Sequence, residues 1–233
     1  MTTVLLTGAS RGIGAAAHGA LAAAGLTVIG QSTAGGNGLI AADFAEPRSA
    51  DALWAQALER AGGRIDVLVN NAGVFEAADI ADADGFASAW ARSLAINLQS
   101  AADLCRHAVL HFQQHGGGRI INVASRAGHR GDSPKHWHYA AAKGGMLAMT
   151  KSIARAYAGQ NILAFSITPG FTMTGMAEDY LASRGGDKLL ADIPLGRVAM
   201  PDEVGETIRW LATRAPPSLT GATIDINGAS YVR

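Results

Sequence analysis

Short apolar runs alternate along the chain with longer amphipathic segments, and this alternation sets the predicted elements. Runs that are largely apolar, such as TTVLLT (2–7), are typical of strands buried on both faces, as in a parallel sheet. The predicted strands are 2–7, 26–31, 39–44, 65–73, 118–125, 161–170 and 222–228. The predicted helices are Gly12–Ala24, Ser49–Ala61, Phe86–His115 and Tyr139–Ala158. The pattern predicts an α/β fold with a doubly wound parallel β-sheet of about seven strands flanked by helices.

No linker, composition break or internal repeat divides the chain, so we expect a single domain over residues 1–233. One connection between neighbouring strands is predicted to lack a helix. The link STAGGNG (32–38) between the second and third strands is too short for a full helix, and we expect a turn there.

Composition narrows the class of protein. Basic and acidic residues both number 19, so no basic excess would draw the chain to nucleic acid or acidic membranes. The single cysteine, Cys105, excludes an internal disulfide and a cysteine-based metal cluster. The start of the chain lacks a signal-peptide pattern, and no apolar run approaches the roughly 20 residues that span a bilayer. A cytoplasmic protein without nucleic-acid, membrane or metal partners is the expectation.

The stretch TGASRGIG (7–14) is the first candidate site. Gly8, Gly12 and Gly14 follow the first strand and open the first helix with the spacing G-x-x-x-G-x-G. Glycine permits a tight turn and close approach of a pyrophosphate, and the helix N-terminus offers unpaired N–H groups to phosphates. The alternative is a purely structural turn. The position between strand and helix favours a dinucleotide site, and hence a Rossmann fold.

Charge near the second strand indicates which dinucleotide is bound. A site for NAD usually carries Asp or Glu at the end of this strand, to bind the ribose 2′-hydroxyl. Here the strand ends VIGQSTA (28–34), without a carboxylate, and Arg11 lies inside the glycine turn. Arg11, with Ser32 and Thr33, suits a 2′-phosphate. We therefore expect NADP(H), with NAD(H) as the alternative; Arg11 is otherwise a solvated surface residue.

A tyrosine and a lysine in HWHYAAAKGG (136–145) are the second candidate site. Tyr139 and Lys143 are four residues apart, which places them on one face of a helix. Such a pair is common and by itself indicates no chemistry. Ser125 and Asn97 are equally ordinary when taken alone, as a residue that ends a strand and a polar helix residue.

Taken together, these motifs resemble the short-chain dehydrogenase/reductase family over almost the whole chain. The matching segments are TGASRGIG (7–14), ADF (42–44), NNAG (70–73), LAINLQS (94–100), INVASRAG (121–128), the Y-x-x-x-K pair and PGFTMTGM (169–176). The resemblance implies an oxidoreductase that transfers a hydride between a nicotinamide and a ketone or secondary alcohol.

The resemblance also implies residue roles. Tyr139 would be the general acid/base and Ser125 would bind the substrate oxygen. Lys143 would lower the pKa of the phenol and bind the nicotinamide ribose. Asn97 would bend its helix and hold a water that passes protons to Lys143. The implied cofactor contacts are Gly8, Ser10, Arg11, Gly12, Ile13, Gly14, Ser32, Thr33, Asp43, Phe44, Asn71, Ala72, Gly73, Tyr139, Lys143, Pro169, Gly170, Thr172 and Thr174.

The substrate side is less defined by the motifs. The segment between Ser125 and Tyr139 is about one residue longer than in many family members and is unusually polar and basic. The candidate pocket residues are His129, His136, Trp137, Met173, Met176 and Tyr180. With Arg130, the loop residues would favour a polar or anionic substrate; otherwise they form an ordinary pocket wall or exposed loop. Residues 173–196 correspond to the segment that forms a substrate lid in the family.

The substrate itself stays open. The overall pattern looks most like the acyl-carrier-protein reductases, which makes 3-oxoacyl-thioester reduction one candidate. The surface near QQHGGGR (113–119) and AYAGQN (156–161) is thin in the basic residues that an acidic carrier would need. A sugar alcohol, a cyclic ketone or another small metabolite is an equal candidate.

Two rival classes are weaker. A catalytically silent dinucleotide sensor would usually have lost the tyrosine or the lysine of the pair. A Rossmann-type methyltransferase would leave the serine, tyrosine and lysine unexplained. In the family the two long helices pair across a dimer, and Gly144 and Gly145 would let helices approach closely. We expect a homotetramer, with a dimer as the alternative.

Overall fold

One parallel sheet forms the centre of the computed structural model, which describes residues 2–174 and 190–233. Its strands are β1 Thr3–Leu6, β2 Thr27–Ser32, β3 Ile40–Ala41, β4 Val67–Asn70, β5 Gly118–Val123, β6 Ile162–Pro169 and β7 Thr223–Ile226. The seven strands lie in the order β3-β2-β1-β4-β5-β6-β7, and every neighbouring pair is parallel. The predicted doubly wound α/β Rossmann fold is confirmed.

Helices cover both faces of this sheet. They are α1 Gly12–Ala23, α2 Ser49–Arg60, α3 Ala83–Leu94, α4 Ser100–Gln114, α5 Ala127–Arg130, α6 Trp137–Tyr157 and α7 Pro201–Thr213. None of those in the described part of the chain is long and apolar enough to cross a membrane.

The helix predicted over 86–115 is longer and is interrupted. It begins at Ala83, because the carboxylate of Asp82 accepts a hydrogen bond from the backbone N–H of Gly85 at 3.0 Å and so caps the first turn. A π-helical segment, Ala95–Gln99, separates α3 from α4. Such segments are often found at functional sites, and this one contains Asn97.

Two helices were missed by the sequence analysis. The helix α5 lies inside the stretch that we expected to be a polar loop. The helix α7 carried readable start signals, because Pro201 occupies its first position and the carboxylate of Glu203 accepts from the backbone N–H of Met200 at 2.7 Å.

The core consists of two apolar layers, one on each face of the sheet. Along β1, Leu5 packs with side chains of α2 and α4, whereas Val4 and Leu6 pack with side chains of α1 and α7. All three are fully buried, and full burial of such a side chain contributes roughly 1.5–3 kcal/mol. The apolar runs in the sequence therefore mark strands that are covered on both sides.

The short link after β2 is a turn, as predicted. Gly36 and Leu39 form an isolated bridge. The three glycines of the link, Gly35, Gly36 and Gly38, adopt positive φ angles. The chain thus passes from β2 to its neighbour β3 without a crossover helix.

Gly144 and Gly145 serve contacts within the chain. A Cβ on Gly144 would lie 3.2 Å from the carbonyl oxygen of Gly128, and a Cβ on Gly145 would lie 2.9 Å from Leu98 Cδ2. The two glycines therefore let α5 and the π-helical segment approach α6.

The sheet order reverses between β1 and β4. In open α/β sheets a ligand crevice forms outside the carboxyl ends of the strands at such a point. The glycine turn follows β1 and the NNAG segment spans the end of β4, so both lie at this crevice.

Candidate active site

The glycine turn after β1 leaves no room for side chains. A Cβ on Gly14 would lie 1.9 Å from the carbonyl oxygen of Gly8, and one on Gly8 would lie 2.9 Å from the Cα of Ala72. Gly8 and Gly12 also adopt positive φ angles, +65° and +53°, which favour glycine. The turn presents bare backbone at the N-terminus of α1, and Ile13 lies in the first turn of that helix. This cradle fits the pyrophosphate of a dinucleotide.

The hydroxyl of Thr7 organises the two chain segments at the crevice. Its oxygen accepts hydrogen bonds from the backbone N–H groups of Asn71 at 2.9 Å and Ala72 at 3.0 Å. The side-chain amide of Asn71 donates to the carbonyls of Thr7 and Gly8, at 2.9 and 3.1 Å. Asn71, at the end of β4, therefore holds the glycine turn in place. Thr7 was missed, and its only signal was a hydroxyl residue at the end of an apolar strand.

Gln31 is a second residue that the sequence analysis missed. Its side chain is buried, accepts from the N–H of Gly8 at 2.8 Å and donates to the carbonyl of Ala42 at 2.7 Å. It joins the glycine turn to the segment after β3. A glutamine within an apolar strand was the available signal.

The residues expected near the adenosine ribose differ in whether their side chains already form hydrogen bonds within the protein. The Ser32 hydroxyl accepts from the N–H of Gly35 at 3.0 Å and contacts its carbonyl at 3.2 Å, so it closes a turn. Ser10, Arg11 and Thr33 are exposed. Arg11 forms no ion pair or hydrogen bond through its side chain with the residues that the structure describes. Arg11 and Thr33, rather than Ser32, are therefore free to meet a 2′-phosphate.

The segment after β3 is held in place locally. The carboxylate of Asp43 accepts from the N–H of Ala45 at 2.9 Å and so fixes a turn. Phe44 is 7% exposed and belongs to the core. The Phe44 ring is therefore a core side chain, and the Asp43 carboxylate serves its own turn.

Asn97 lies fully buried in the π-helical segment, which supports the expected distortion of its helix. Its Oδ1 accepts from the N–H of Val74 and its Nδ2 donates to the carbonyl of Val74, both at 3.0 Å. Nδ2 also contacts Ser93 Oγ at 3.0 Å. A Cβ on Gly73 would lie 2.7 Å from Asn97 Oδ1 and 3.6 Å from Lys143 Nζ. Gly73 therefore makes room for both side chains.

Tyr139 and Lys143 lie on one face of α6, as predicted. The ammonium of Lys143 is buried, donates to the carbonyl of Val123 at 2.8 Å and lies 5.8 Å from the centroid of the Tyr139 ring. Ser125 follows β5 and its hydroxyl accepts from the N–H of Ala127 at 3.1 Å. The structure brings these three side chains to the same end of the sheet.

The expected lowering of the Tyr139 pKa is not produced by the protein alone. Burial raises the pKa of this phenol, Ser125 offsets the rise in part, and Asp132 adds to it. Burial also lowers the pKa of Lys143, to about 8. The Lys143 ammonium donates its hydrogen bond to a backbone carbonyl. It does not offset the effect of burial on the pKa of the Tyr139 phenol.

The segment after β6 returns to the glycine turn. The carbonyl of Pro169 accepts from the N–H of Arg126 at 3.2 Å, and the hydroxyl of Thr172 donates to the carbonyl of Gly170 at 3.3 Å. Thr174 lies against Gly12, where a Cβ would come within 2.9 Å of its methyl group. The predicted cofactor segment is therefore next to the predicted cofactor turn.

Of the expected lid, only its two ends are described. Met173 packs with Ile193 in a small apolar cluster. Met176 and Tyr180, two of the predicted pocket residues, lie outside the described residues.

The rings of Phe75 and His136 form an aromatic wall that lies beside Tyr139. The rings of Phe75 and His136 are stacked at 3.8 Å and only 3° from parallel, and the edge of Phe75 meets Tyr139 at 4.9 Å. Phe75 was missed, because it comes from the segment after β4, far away in sequence. Trp137 is 50% exposed, and its ring meets Phe86.

His129 lies apart from the aromatic wall, whereas the ring of His138 meets the rings of Trp90 and His136. His129 stacks on Tyr231 of the C-terminal segment at 5.5 Å, so it is not part of the aromatic wall. His138 is 1% exposed, and neither ring nitrogen has a hydrogen-bond partner among the described residues. Burial lowers the pKa values of both. Within the described ranges no group of three His, Cys, Asp or Glu residues could hold a metal ion.

Comparison with known proteins agrees with this geometry. A family model described as enoyl-(acyl carrier protein) reductase matches residues 8–229. The chain is 34% identical to the 3-oxoacyl-[acyl-carrier-protein] reductase FabG of Vibrio cholerae, over 98% of this chain and 96% of that one. It is 36% identical to the 3-oxoacyl-[acyl-carrier-protein] reductase of Synechocystis, over 96% and 94% of the two chains. The FabG protein of Escherichia coli is 32% identical over 98% and 96%.

The chain belongs to the short-chain dehydrogenase/reductase family. It is accordingly an NAD(P)-dependent oxidoreductase that acts on carbonyl or alcohol groups, and it resembles the 3-oxoacyl reductases over nearly its whole length.

Proposed function

We propose that this protein is an NADP(H)-dependent ketoreductase in which Tyr139 is the general acid/base. The observation that carries the proposal is the convergence of Ser125, Tyr139 and Lys143 at the crevice that also holds the glycine turn. When bound, the nicotinamide supplies or accepts the hydride. The protein's own groups bind the substrate oxygen and move a proton to or from it.

The raised pKa of Tyr139 suits the reductive direction. A neutral phenol is the proton donor that a developing alkoxide requires, and Ser125 gives that oxygen a second hydrogen bond. Lys143, whose pKa is about 8, is largely charged at neutral pH and attracts negative charge on the phenol oxygen. Asn97 acts through its contacts with Val74, which set the segment beside Lys143.

Substitution of the tyrosine tests this assignment. Tyr139→Phe is expected to lower kcat by about 10²–10⁴-fold, because the variant has no transferable proton. Tyr157→Phe, at the other end of α6, is the matched control and should keep wild-type turnover. NADPH titrated by fluorescence should bind both variants alike. Near-full activity of Tyr139→Phe on an identified substrate would show that the mechanism is wrong.

The preference for NADP(H) rests on the charge around the end of β2. This strand ends without a carboxylate, and Arg11 and Thr33 are exposed beside it. Arg11→Ala should weaken NADPH binding roughly ten- to a hundredfold, since a charge-assisted hydrogen bond contributes about 1.5–3 kcal/mol when well formed. Binding of NADH should change little, and Arg48→Ala is an exposed control. A wild-type protein that prefers NADH would contradict the proposal.

A more specific candidate is reduction of a 3-oxoacyl thioester. The names of the relatives that match over nearly the whole chain favour it. Oxidation of NADPH should be followed with acetoacetyl-coenzyme A and with cyclic and linear ketones. A thioester turned over at least tenfold more efficiently than the ketones would support this candidate, and the reverse order would remove it.

We further propose a homotetramer in the cytoplasm, with a dimer as the alternative. In the family the helix that corresponds to α4 pairs across a dimer, and the proposal rests on that resemblance; Leu110 on α4 is 46% exposed. Light scattering in solution gives the mass, and a monomer alone would refute the assembly.

A further inference from the structure

Arg126, the residue after Ser125, is a buried cation with very few partners. Its side chain is 7% exposed, and its one polar contact with the described residues is from Nη1 to Asp192 Oδ2 at 3.5 Å. The flat guanidinium lies over the ring of Phe171, 5.3 Å from the centroid. A guanidinium carries five N–H donors, and buried cations are normally paired and hydrogen-bonded. Arg126 therefore has donor capacity that the described protein does not use.

Arg126 shares its nearest carboxylate with a second cation. Asp192 is half exposed, and the same oxygen that faces Arg126 is 3.2 Å from Arg130 Nη1. Two guanidiniums thus share one carboxylate oxygen. Arg130 is 39% exposed and solvated, whereas Arg126 is not. The carboxylate of Asp132 also acts on Arg126 through its charge, so Arg126 lacks hydrogen-bond acceptors among the described residues rather than neighbouring negative charge.

The position of Arg126 connects this charge to the reaction. Its backbone N–H donates to the carbonyl of Pro169, and its side chain covers Phe171, two residues further along. It lies between the turn that carries Ser125 and the segment expected to meet the nicotinamide. Ser125 and Arg126 are consecutive residues, so a molecule whose oxygen Ser125 binds is the candidate ligand for the unused donors of Arg126.

We propose that Arg126 binds a carboxylate of the substrate, so that the substrate class is an oxo acid or the corresponding hydroxy acid. The planar fork of a guanidinium matches a carboxylate through two parallel hydrogen bonds. Phe171 excludes water from one face and Asp192 orients one nitrogen. This inference rests on the proposed function, because it names the substrate class of the same site.

Matched pairs of oxo acids and methyl esters test the inference. Pyruvate, acetoacetate and levulinate place the carboxylate at increasing distance from the ketone, and each methyl ester removes the charge. Wild-type kcat/KM with NADPH should favour at least one acid over its ester. In Arg126→Met this ratio should fall roughly ten- to a hundredfold, as expected for loss of a charge-assisted hydrogen bond. The efficiency with the esters should change less than about threefold if the variant is otherwise intact.

Two further variants separate binding from a structural role. Asp192→Asn removes the competing carboxylate and should maintain or raise the acid-over-ester ratio. If Arg126 only ties two segments together, Asp192→Asn and Arg126→Met should lower acids and esters alike, which would overturn the inference. Arg126→Lys keeps the charge without the fork and should retain part of the ratio. Arg48→Met, an exposed substitution far from this region, should leave the ratio unchanged.

A direct binding measurement keeps the inference independent of turnover. Levulinate should quench or shift the intrinsic fluorescence of the wild-type protein and not of Arg126→Met. Binding without turnover of any carbonyl compound would support the carboxylate site and refute the proposed function. Turnover of acids and esters with equal efficiency would refute the carboxylate site and leave the proposed function intact.

Discussion

The two sides of the crevice satisfy their polar groups in different ways. On the cofactor side, Thr7, Gln31 and Asn71 form hydrogen bonds with backbone groups of the turns around them. On the substrate side, the ring nitrogens of the buried His138 have no hydrogen-bond partner among the described residues, and the Arg126 side chain has one long polar contact with them. These buried polar groups on the cofactor side are satisfied by the protein's own backbone. Those on the substrate side have hydrogen-bonding capacity that the described residues do not use.

This difference separates stability from function. Buried polar groups that are hydrogen-bonded fix one backbone arrangement, while unpaired ones destabilise the fold. A site that must discriminate among substrates benefits from donors that only the correct molecule satisfies. We therefore expect substitutions on the cofactor side to destabilise the protein, and some on the substrate side to stabilise it.

The largest effect is expected at Gly14. Gly14→Ala puts a methyl group 1.9 Å from the Gly8 carbonyl, so the turn must move. We expect the free energy of unfolding to fall by about 3 kcal/mol and NADPH binding to be lost. Gly19→Ala, in the same helix with nothing within 4 Å, should instead gain about 1 kcal/mol. Urea denaturation and NADPH fluorescence measure both, and equal stability of the two variants would break the comparison.

Lys143→Met should stabilise the protein while it abolishes activity. A lysine whose pKa is about 8 when folded and 10.5 when unfolded destabilises the fold by roughly 3 kcal/mol below pH 8, and the bond to Val123 returns about 1 kcal/mol. The net gain of the variant is therefore about 2 kcal/mol at pH 7. Between pH 8 and 10.5 the unfolded state binds more protons than the folded state, so this group makes the wild type more stable as pH rises. The stability advantage of the variant should vanish near pH 10.5, and urea denaturation at pH 7 and pH 10.5 measures it. A stability advantage that does not depend on pH would show that it does not come from the buried ammonium.

A smaller gain is expected at His138. His138→Leu removes two buried ring nitrogens without described partners and should raise the free energy of unfolding by about 1 kcal/mol. The lowered pKa of His138 means that the unfolded state gains a proton first as pH falls below 6.5, which destabilises the wild type. The variant should lose less stability between pH 7 and 5 in the same denaturation experiment. A loss of stability at both pH values would mean that His138 has a structural role.

The cofactor side was predicted well because backbone geometry dictates its sequence. Gly8, Gly12 and Gly14 occupy positions where a side chain would clash or the φ angle is positive, so their spacing is visible in the chain. Thr7 and Gln31 escaped because many polar residues end strands without such contacts.

The substrate side was predicted only in part, because its contacts join elements that are distant in sequence. His136 and Phe75 stack across 61 positions of the chain, and Arg126 meets Asp192 across 66. No local pattern records such partners. Burial also could not be derived from spacing, and it is burial that raises the pKa of Tyr139 where the lysine was expected to lower it.

Gln31 constrains attempts to engineer the coenzyme preference. A common design would place an acidic residue at the end of β2 to favour the dinucleotide without the extra phosphate. At position 31 a carboxylate could still accept from Gly8, yet it has no hydrogen to give to the carbonyl of Ala42, which Gln31 now satisfies. A carboxylate at position 31 would therefore loosen the segment after β3, which Gln31 now ties to the glycine turn. Thr33 is exposed and lies two residues later. An acidic residue at that position leaves the hydrogen bonds of Gln31 with Gly8 and Ala42 intact.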